Sequence, residues 1–143
     1  MYLELSGWPG GRQVDGSIGA LDALDMVMQS SKVRQAQSTG KLTVLFDSGI
    51  RTGSDILKAL ALGAQAVLGR PRHFFFSGRV FTVFITPVGR LFMYGLAIAG
   101  EAGIEQILMQ TIADLHITMG LCGFRDVRDV VGAREKLMVK INS

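Results

Sequence analysis

The chain has 143 residues, 48% of them hydrophobic and 19% charged, a composition typical of a globular protein with enough apolar residues for a core. Its formal net charge is +3, from 15 Lys and Arg against 12 Asp and Glu, and so small an excess argues against nucleic acid as a partner. A single cysteine excludes an intrachain disulfide, and no apolar run reaches the roughly 18 residues that a membrane-spanning helix needs.

Apolar spacing and turn residues predict the secondary structure along the chain. Helices are expected where apolar residues recur with a period near 3.6, and strands where short apolar runs are bounded by glycine. In chain order the pattern predicts a helix over 20–28, a polar connection over 30–40 and a strand over 42–46. A helix that starts near Thr52 or Ser54 and stops at Gly63 is followed by a strand over 64–68. The rest of the chain is predicted to form a helix over 101–121, a short helix over 127–131 and a fraying tail over 136–143.

Residues 41–71 carry most of the functional information in the sequence. The first strand ends at Asp47 and the second is followed by Gly69 and Arg70, and the helix between them predicts a βαβ unit with two parallel, buried strands. Glycines let backbone N–H groups approach an anion, the helix start adds positive potential, and Arg51 and Arg70 can each fork onto phosphate oxygens. Ordinary solvated arginines are the alternative, but two Gly-Arg turns after consecutive strands match the phosphate site of many (β/α)8 barrels.

These residues also carry a family resemblance. The segments DSGIRTGSDILKALALGAQAV and GRP, with GGRQVDG at 10–16 and MYGLAIAGEAGIEQIL at 93–108, resemble the FMN-dependent 2-hydroxy acid dehydrogenases and oxidases, such as glycolate oxidase, lactate oxidase and lactate monooxygenase. The resemblance implies an α/β fold in which 1–143 form the C-terminal portion of a TIM (β/α)8 barrel, about three βα units, with residues 3–5 as the first strand. A complete barrel needs about 250 residues, so this portion is expected to be incomplete.

The resemblance further implies FMN as cofactor and oxidation of a small 2-hydroxy acid to a 2-oxo acid. Arg12 matches the arginine that binds the substrate carboxylate, for which a bidentate guanidinium is suited. The segments matching the FMN-phosphate site consist of Asp47, Ser48, Gly49, Ile50, Arg51, Gly69 and Arg70. The position of the family's catalytic histidine holds Pro9, which has no titratable group, and the flavin-ring contacts lie upstream of Met1. We therefore expect weak FMN binding and no activity in the chain as written.

A Phe-rich segment at about 72–91 has no counterpart in the family pattern. It separates GRP from YGL and contains five of the eight phenylalanines. It is interpreted as a lid or membrane-contacting loop, as an added hairpin, or as translated non-coding sequence retained in a gene model. The last interpretation is preferred because family sequence resumes on both sides.

The residues also raise two other functions. One is a non-catalytic half-barrel that binds phosphate compounds or is completed by a partner chain. The other is a barrel of the inosine monophosphate dehydrogenase type, which lacks support because Cys122, expected to be a buried filler, lies far downstream of the phosphate segment. The family is often homo-oligomeric. The chain has neither a secretory signal pattern nor a Ser-Lys-Leu ending, so a cytoplasmic or organellar location is expected.

Overall fold

The computed structural model describes residues 2–6, 18–47, 49–68 and 89–137. The strands are β1 (Tyr2–Ser6), β2 (Thr43–Asp47) and β3 (Ala66–Leu68). The helices are α1 (Ala20–Met28), α2 (Ser31–Ser38), α3 (Gly53–Ala61), α4 (Gly89–Leu121), α5 (Val127–Val130) and α6 (Arg134–Leu137).

The three strands form a parallel sheet in the order β1-β2-β3, so β2 is central. In the register of the two ladders, Asp47 lies beside Ser6 on one side and beside Leu68 on the other. The predicted βαβ unit is therefore confirmed, since β2 and β3 are parallel and α3 connects them. The α/β class is confirmed as well, whereas closure of these strands into a (β/α)8 barrel stays a prediction.

The core lies on one face of the sheet. Burial alternates along β2, where Val44 and Phe46 are fully buried and the residues between them are half-buried. This alternation is typical of a strand that packs on one face only. The predicted burial of β2 is thus found in part, for Val44 and Phe46 but not for the residues that alternate with them. The apolar cluster that covers the buried face draws Leu24 from α1, Leu60 from α3, Leu115 and Met119 from α4 and Val130 from α5.

Helix α4 is bent by non-helical backbone at Ala99 and Gly100. Its two halves pack closely, because a Cβ atom on Gly103 would lie only 2.2 Å from the carbonyl oxygen of Gly95. The second half is the helix predicted over 101–121. Of its predicted apolar stripe, Leu115 and Met119 are buried in the core, while the earlier members are half-buried.

Two local predictions are wrong. The polar stretch over 30–40 was expected to be an irregular connection, but α2 occupies most of it because Val33 and Ala36 pack against the core and fix one side of the helix. Cys122 is exposed, since it lies just beyond the end of α4. The expected fraying tail begins with helix up to Leu137, and 138–143 lie outside the described residues.

Within the same described ranges, no helix combines the length and apolar character needed to cross a bilayer. Of the Phe-rich segment, 72–88 lie outside the described residues and 89–91 begin α4, so its interpretation stays a prediction.

Candidate phosphate-binding site

The carboxyl ends of the three strands lie side by side at one edge of the sheet. Ser6, Asp47 and Leu68 are register partners there. The candidate site residues are Asp47 itself and residues of the segments that follow the three strands. Ligands of parallel α/β sheets bind at this edge, because the loops that leave it converge. Pro9, Arg12, Ser48, Gly69 and Arg70 lie outside the described residues, so their roles stay predictions.

The loop after β2 is described from Gly49 onward, and its residues point to a fixed conformation. Gly49 has a φ of +78°, in the left-handed region that favours glycine, and nothing lies within 4 Å of the position its Cβ would take. Ile50 is only 7% exposed and belongs to the core cluster. Arg51 is exposed. The loop is therefore anchored by the buried side chain of Ile50. Before it in the chain comes Gly49, which has free space beside it, and after it comes the exposed guanidinium of Arg51.

The Arg51 side chain makes no hydrogen bond or ion pair with any other described residue. A guanidinium offers five N–H donors in a planar fork that suits phosphate oxygens. Together with the open space at Gly49, this arrangement fits the phosphate group of a nucleotide or flavin cofactor. Among the residues that the structure describes, no cluster of three or more His, Cys, Asp or Glu side chains suits a metal ion.

The start of α3 was predicted to add positive potential to the phosphate site, and the N–H groups around it are paired within the chain. Asp55 accepts hydrogen bonds from the backbone N–H of Arg51 at 3.0 Å and of Thr52 at 3.2 Å. The next N–H, that of Gly53, donates to the carboxylate of Asp114. Three consecutive N–H groups are thus paired with carboxylates of this chain, and these charges offset the positive end of the helix dipole.

The hydrogen-bonding role of Asp55 can be predicted from the sequence, whereas that of Asp114 cannot. Asp55 follows Thr52 by three residues at a helix start, a spacing typical of a capping box, and Thr52 is the N-cap. Asp114 lies 61 residues from its partner Gly53, in the second half of α4, and an aspartate on a helix ordinarily faces solvent. No local signal identifies Asp114, because its partner is set by the packing of α4 on α3.

Fold and site together define a class of protein. It is an α/β protein with a loop suited to an anion at the carboxyl edge of a parallel sheet. Comparison with known proteins identifies the family within this class. The sequence profile described as FMN-dependent dehydrogenase matches residues 9–77 and 84–137. The chain belongs to the FMN-dependent dehydrogenase family, whose cofactor is FMN.

Similar curated proteins include an FMN-dependent alpha-hydroxy acid dehydrogenase of Penicillium citrinum, 44% identical over 84% of this chain and 23% of its own length. An L-lactate oxidase of a Nostoc species is 38% identical over 85% of this chain and 26% of its length. Human 2-hydroxyacid oxidase 2 is 36% identical over 85% of this chain and 27% of its length. The chain therefore spans about a quarter of the length of these relatives.

Solved structures agree with this assignment. A mandelate oxidase variant with an FMN adduct matches 92% of this chain and 33% of its own, with a TM-score of 0.64 and 34% identity. Both kinds of comparison confirm the family resemblance found in the sequence. They do not favour the alternative of a non-catalytic phosphate-binding half-barrel.

Proposed function

We propose that this chain forms the FMN-phosphate-binding portion of an enzyme that oxidises a small 2-hydroxy acid to a 2-oxo acid. The observation that carries the proposal is the register of Ser6, Asp47 and Leu68, which brings the starts of all three candidate loops to one edge of a parallel sheet. The relatives named for lactate, mandelate and 2-hydroxy acids support the substrate class. In this proposal β1 to β3 are consecutive strands of a (β/α)8 barrel.

The phosphate of FMN is proposed to bind the loop after β2 and the segment after β3. Gly49 leaves room for the phosphate, and Arg51 donates charge-assisted hydrogen bonds to its oxygens. Gly69 and Arg70 supply the second side, by the predicted match. FMN, when bound, accepts the two electrons removed from the hydroxyl-bearing carbon of the substrate.

Substrate chemistry is proposed to depend on the segment after β1. Arg12 orients the substrate carboxylate, while Pro9 stands where a base is needed and has no group that accepts a proton. We infer that residues 1–143 by themselves bind FMN weakly and do not turn over hydroxy acids. Turnover of lactate, glycolate or mandelate by the purified chain with FMN and an artificial electron acceptor would contradict this inference.

A comparison of two flavins tests the phosphate site. FMN and riboflavin differ by the phosphate group, so titration by flavin fluorescence should show that the chain binds FMN more tightly. Arg51→Ala should weaken FMN binding by roughly 10- to 100-fold, the loss of one hydrogen bond to a charged group, and leave riboflavin binding unchanged.

Arg125→Ala is the matched control. Arg125 is also an exposed arginine without a hydrogen bond or ion pair to another described residue, but it lies beyond the end of α4. Its replacement should leave both affinities within about twofold, since it removes the same charge from outside the loop that follows β2. Equal binding of FMN and riboflavin by the wild-type chain would refute the proposed phosphate site.

A further inference from the structure

Two carboxylates hold the end of the loop that follows β2. Besides the N–H groups of Arg51 and Thr52, Asp55 accepts a hydrogen bond from the Thr52 hydroxyl at 3.2 Å. Asp114 reaches the same place from α4 and accepts the N–H of Gly53. Lys58 lies 3.8 Å from the other oxygen of Asp55, a contact that is partly exposed. The first turn of α3 is therefore tied to itself and to a helix that is distant in sequence.

Close backbone contact strengthens this tie. Gly53 is buried, and a Cβ atom added to it would lie 2.4 Å from the Leu115 nitrogen and 2.5 Å from the Asp114 carbonyl carbon. Leu115 is itself buried in the core, so α4 is not free to move away. The loop is fixed at three places, by β2 at Asp47, by the buried side chain of Ile50 and by the α3–α4 contact at Gly53.

Electrostatics also bears on where an anion can bind. A phosphate at the start of α3 would compete with two carboxylates for the same N–H donors and would meet their negative charge. A phosphate at Gly49 and Arg51 keeps a cationic partner and leaves the carboxylate bonds intact. The two aspartates thus favour the loop over the helix end as the anion site.

From these contacts we propose that Asp55 and Asp114 are positioning residues for the FMN-phosphate loop, an inference that rests on the proposed function. They act through backbone N–H groups and do not touch the cofactor. Asp55 fixes the backbone of Arg51 directly, and Asp114 fixes Gly53, at the far end of the loop. Removal of either carboxylate leaves the Arg51 side chain unchanged. It lets the backbone of the loop leave the conformation that presents the guanidinium to phosphate.

Alanine and asparagine variants at both positions test the proposal by flavin titration. Asp55→Ala and Asp114→Ala should each weaken FMN binding by about tenfold, since the bonds they remove are to a charged acceptor. Riboflavin affinity should not change. Asp55→Asn and Asp114→Asn retain an acceptor oxygen and should keep FMN affinity within about threefold of wild type. A merely structural role would lower the affinities for both flavins together.

A second readout follows the backbone itself. Amide hydrogen exchange should become faster at Arg51 and Thr52 in Asp55→Ala, and at Gly53 in Asp114→Ala, at a temperature where circular dichroism shows each variant to be folded. Glu105→Ala is the matched control, because Glu105 is an exposed carboxylate with no hydrogen bond or ion pair to another described residue. It should change neither exchange at residues 51–53 nor FMN affinity.

The outcomes separate this inference from the proposed function. Equal affinity of the wild-type chain for FMN and riboflavin overturns the phosphate site and the inference that rests on it. A wild-type preference for FMN that persists unchanged in both alanine variants overturns the positioning role alone. Loss of that preference in the alanine variants, with recovery in the asparagine variants, supports it.

Discussion

Replacing Gly53 with alanine should destabilise the chain, although the same change usually stabilises a helix. Alanine in place of glycine ordinarily gains up to about 1 kcal/mol in a helix, because it restricts the unfolded chain and has the higher helix propensity. At Gly53 the new methyl group would lie 2.4 to 2.6 Å from backbone atoms of Asp114 and Leu115. Ordinary carbon contacts need about 3.5 Å, so α4 would have to move by about 1 Å.

The magnitude follows from what that movement disturbs. Leu115 and Met119 lie on the same half of α4 and are both buried in the core, so moving the helix loosens their packing. Overpacking of this kind typically costs about 1–3 kcal/mol, which exceeds the helix gain. The Gly53 N–H bond to Asp114 is strained by the same movement. We expect the free energy of unfolding to fall by about 1–2 kcal/mol in total.

Gly120→Ala is the matched control for this prediction. Gly120 is an exposed residue of α4, and nothing lies within 4 Å of the position of its Cβ. The substitution should therefore raise the free energy of unfolding by up to about 1 kcal/mol. Urea denaturation followed by circular dichroism measures both variants against wild type. A Gly53→Ala chain as stable as wild type would refute the close contact between α3 and α4.

Further predictions concern the core and two ion pairs. Phe46→Ala should lower the free energy of unfolding by about 3–5 kcal/mol in the same urea assay, because Phe46 is fully buried on the central strand; a loss below about 1 kcal/mol would contradict that burial. The side-chain hydrogen bond from Arg128 lowers the pKa of Asp126 below its ordinary 3.8, so the stability it contributes is present above that pH and is lost as pH falls through the lowered pKa. Asp126→Asn should flatten the fall of the melting temperature with pH below about 4, and an unchanged profile would show that the pair contributes nothing. Arg134→Gln should lower the melting temperature, since the Arg134 guanidinium joins α6 to Asp25 of α1 through bonds of 2.7 and 3.0 Å; equal melting temperatures for variant and wild type would contradict this link.

Much of this fold can be predicted from the sequence because apolar runs, helix caps and glycine stops act on neighbouring residues. The apolar run that ends at Asp47, the cap at Thr52 and the stop at Gly63 correctly predicted β2, α3 and the crossover to β3. The second half of α4 followed from its 3.6-residue period. The partial burial of β2 could not be inferred in this way, because an apolar strand reads the same whether one face or both are covered.

The phosphate site stays a prediction, and it too rests on local residue types. Glycine and arginine types after consecutive strands indicated a phosphate loop, and the parallel register agrees with that placement. The pairing of the Gly53 N–H could not be predicted from the sequence. It depends on Asp114, whose partner Gly53 is brought near by tertiary packing, and sequence spacing carries no information about such a contact. Residues 30–40 show the same limit, since tertiary contacts of Val33 and Ala36 outweigh a polar composition.

The bond between Asp114 and Gly53 has a consequence for the order of events during synthesis. Because the two residues are 61 positions apart, Gly53 is synthesised well before the carboxylate that accepts its N–H. At about 5–20 residues per second, this interval lasts roughly 3–12 s. During that time the carboxylate that accepts the Gly53 N–H hydrogen bond does not yet exist. The residues of the sheet edge and of the Arg51 loop are thus synthesised before those of the helix that fixes the loop.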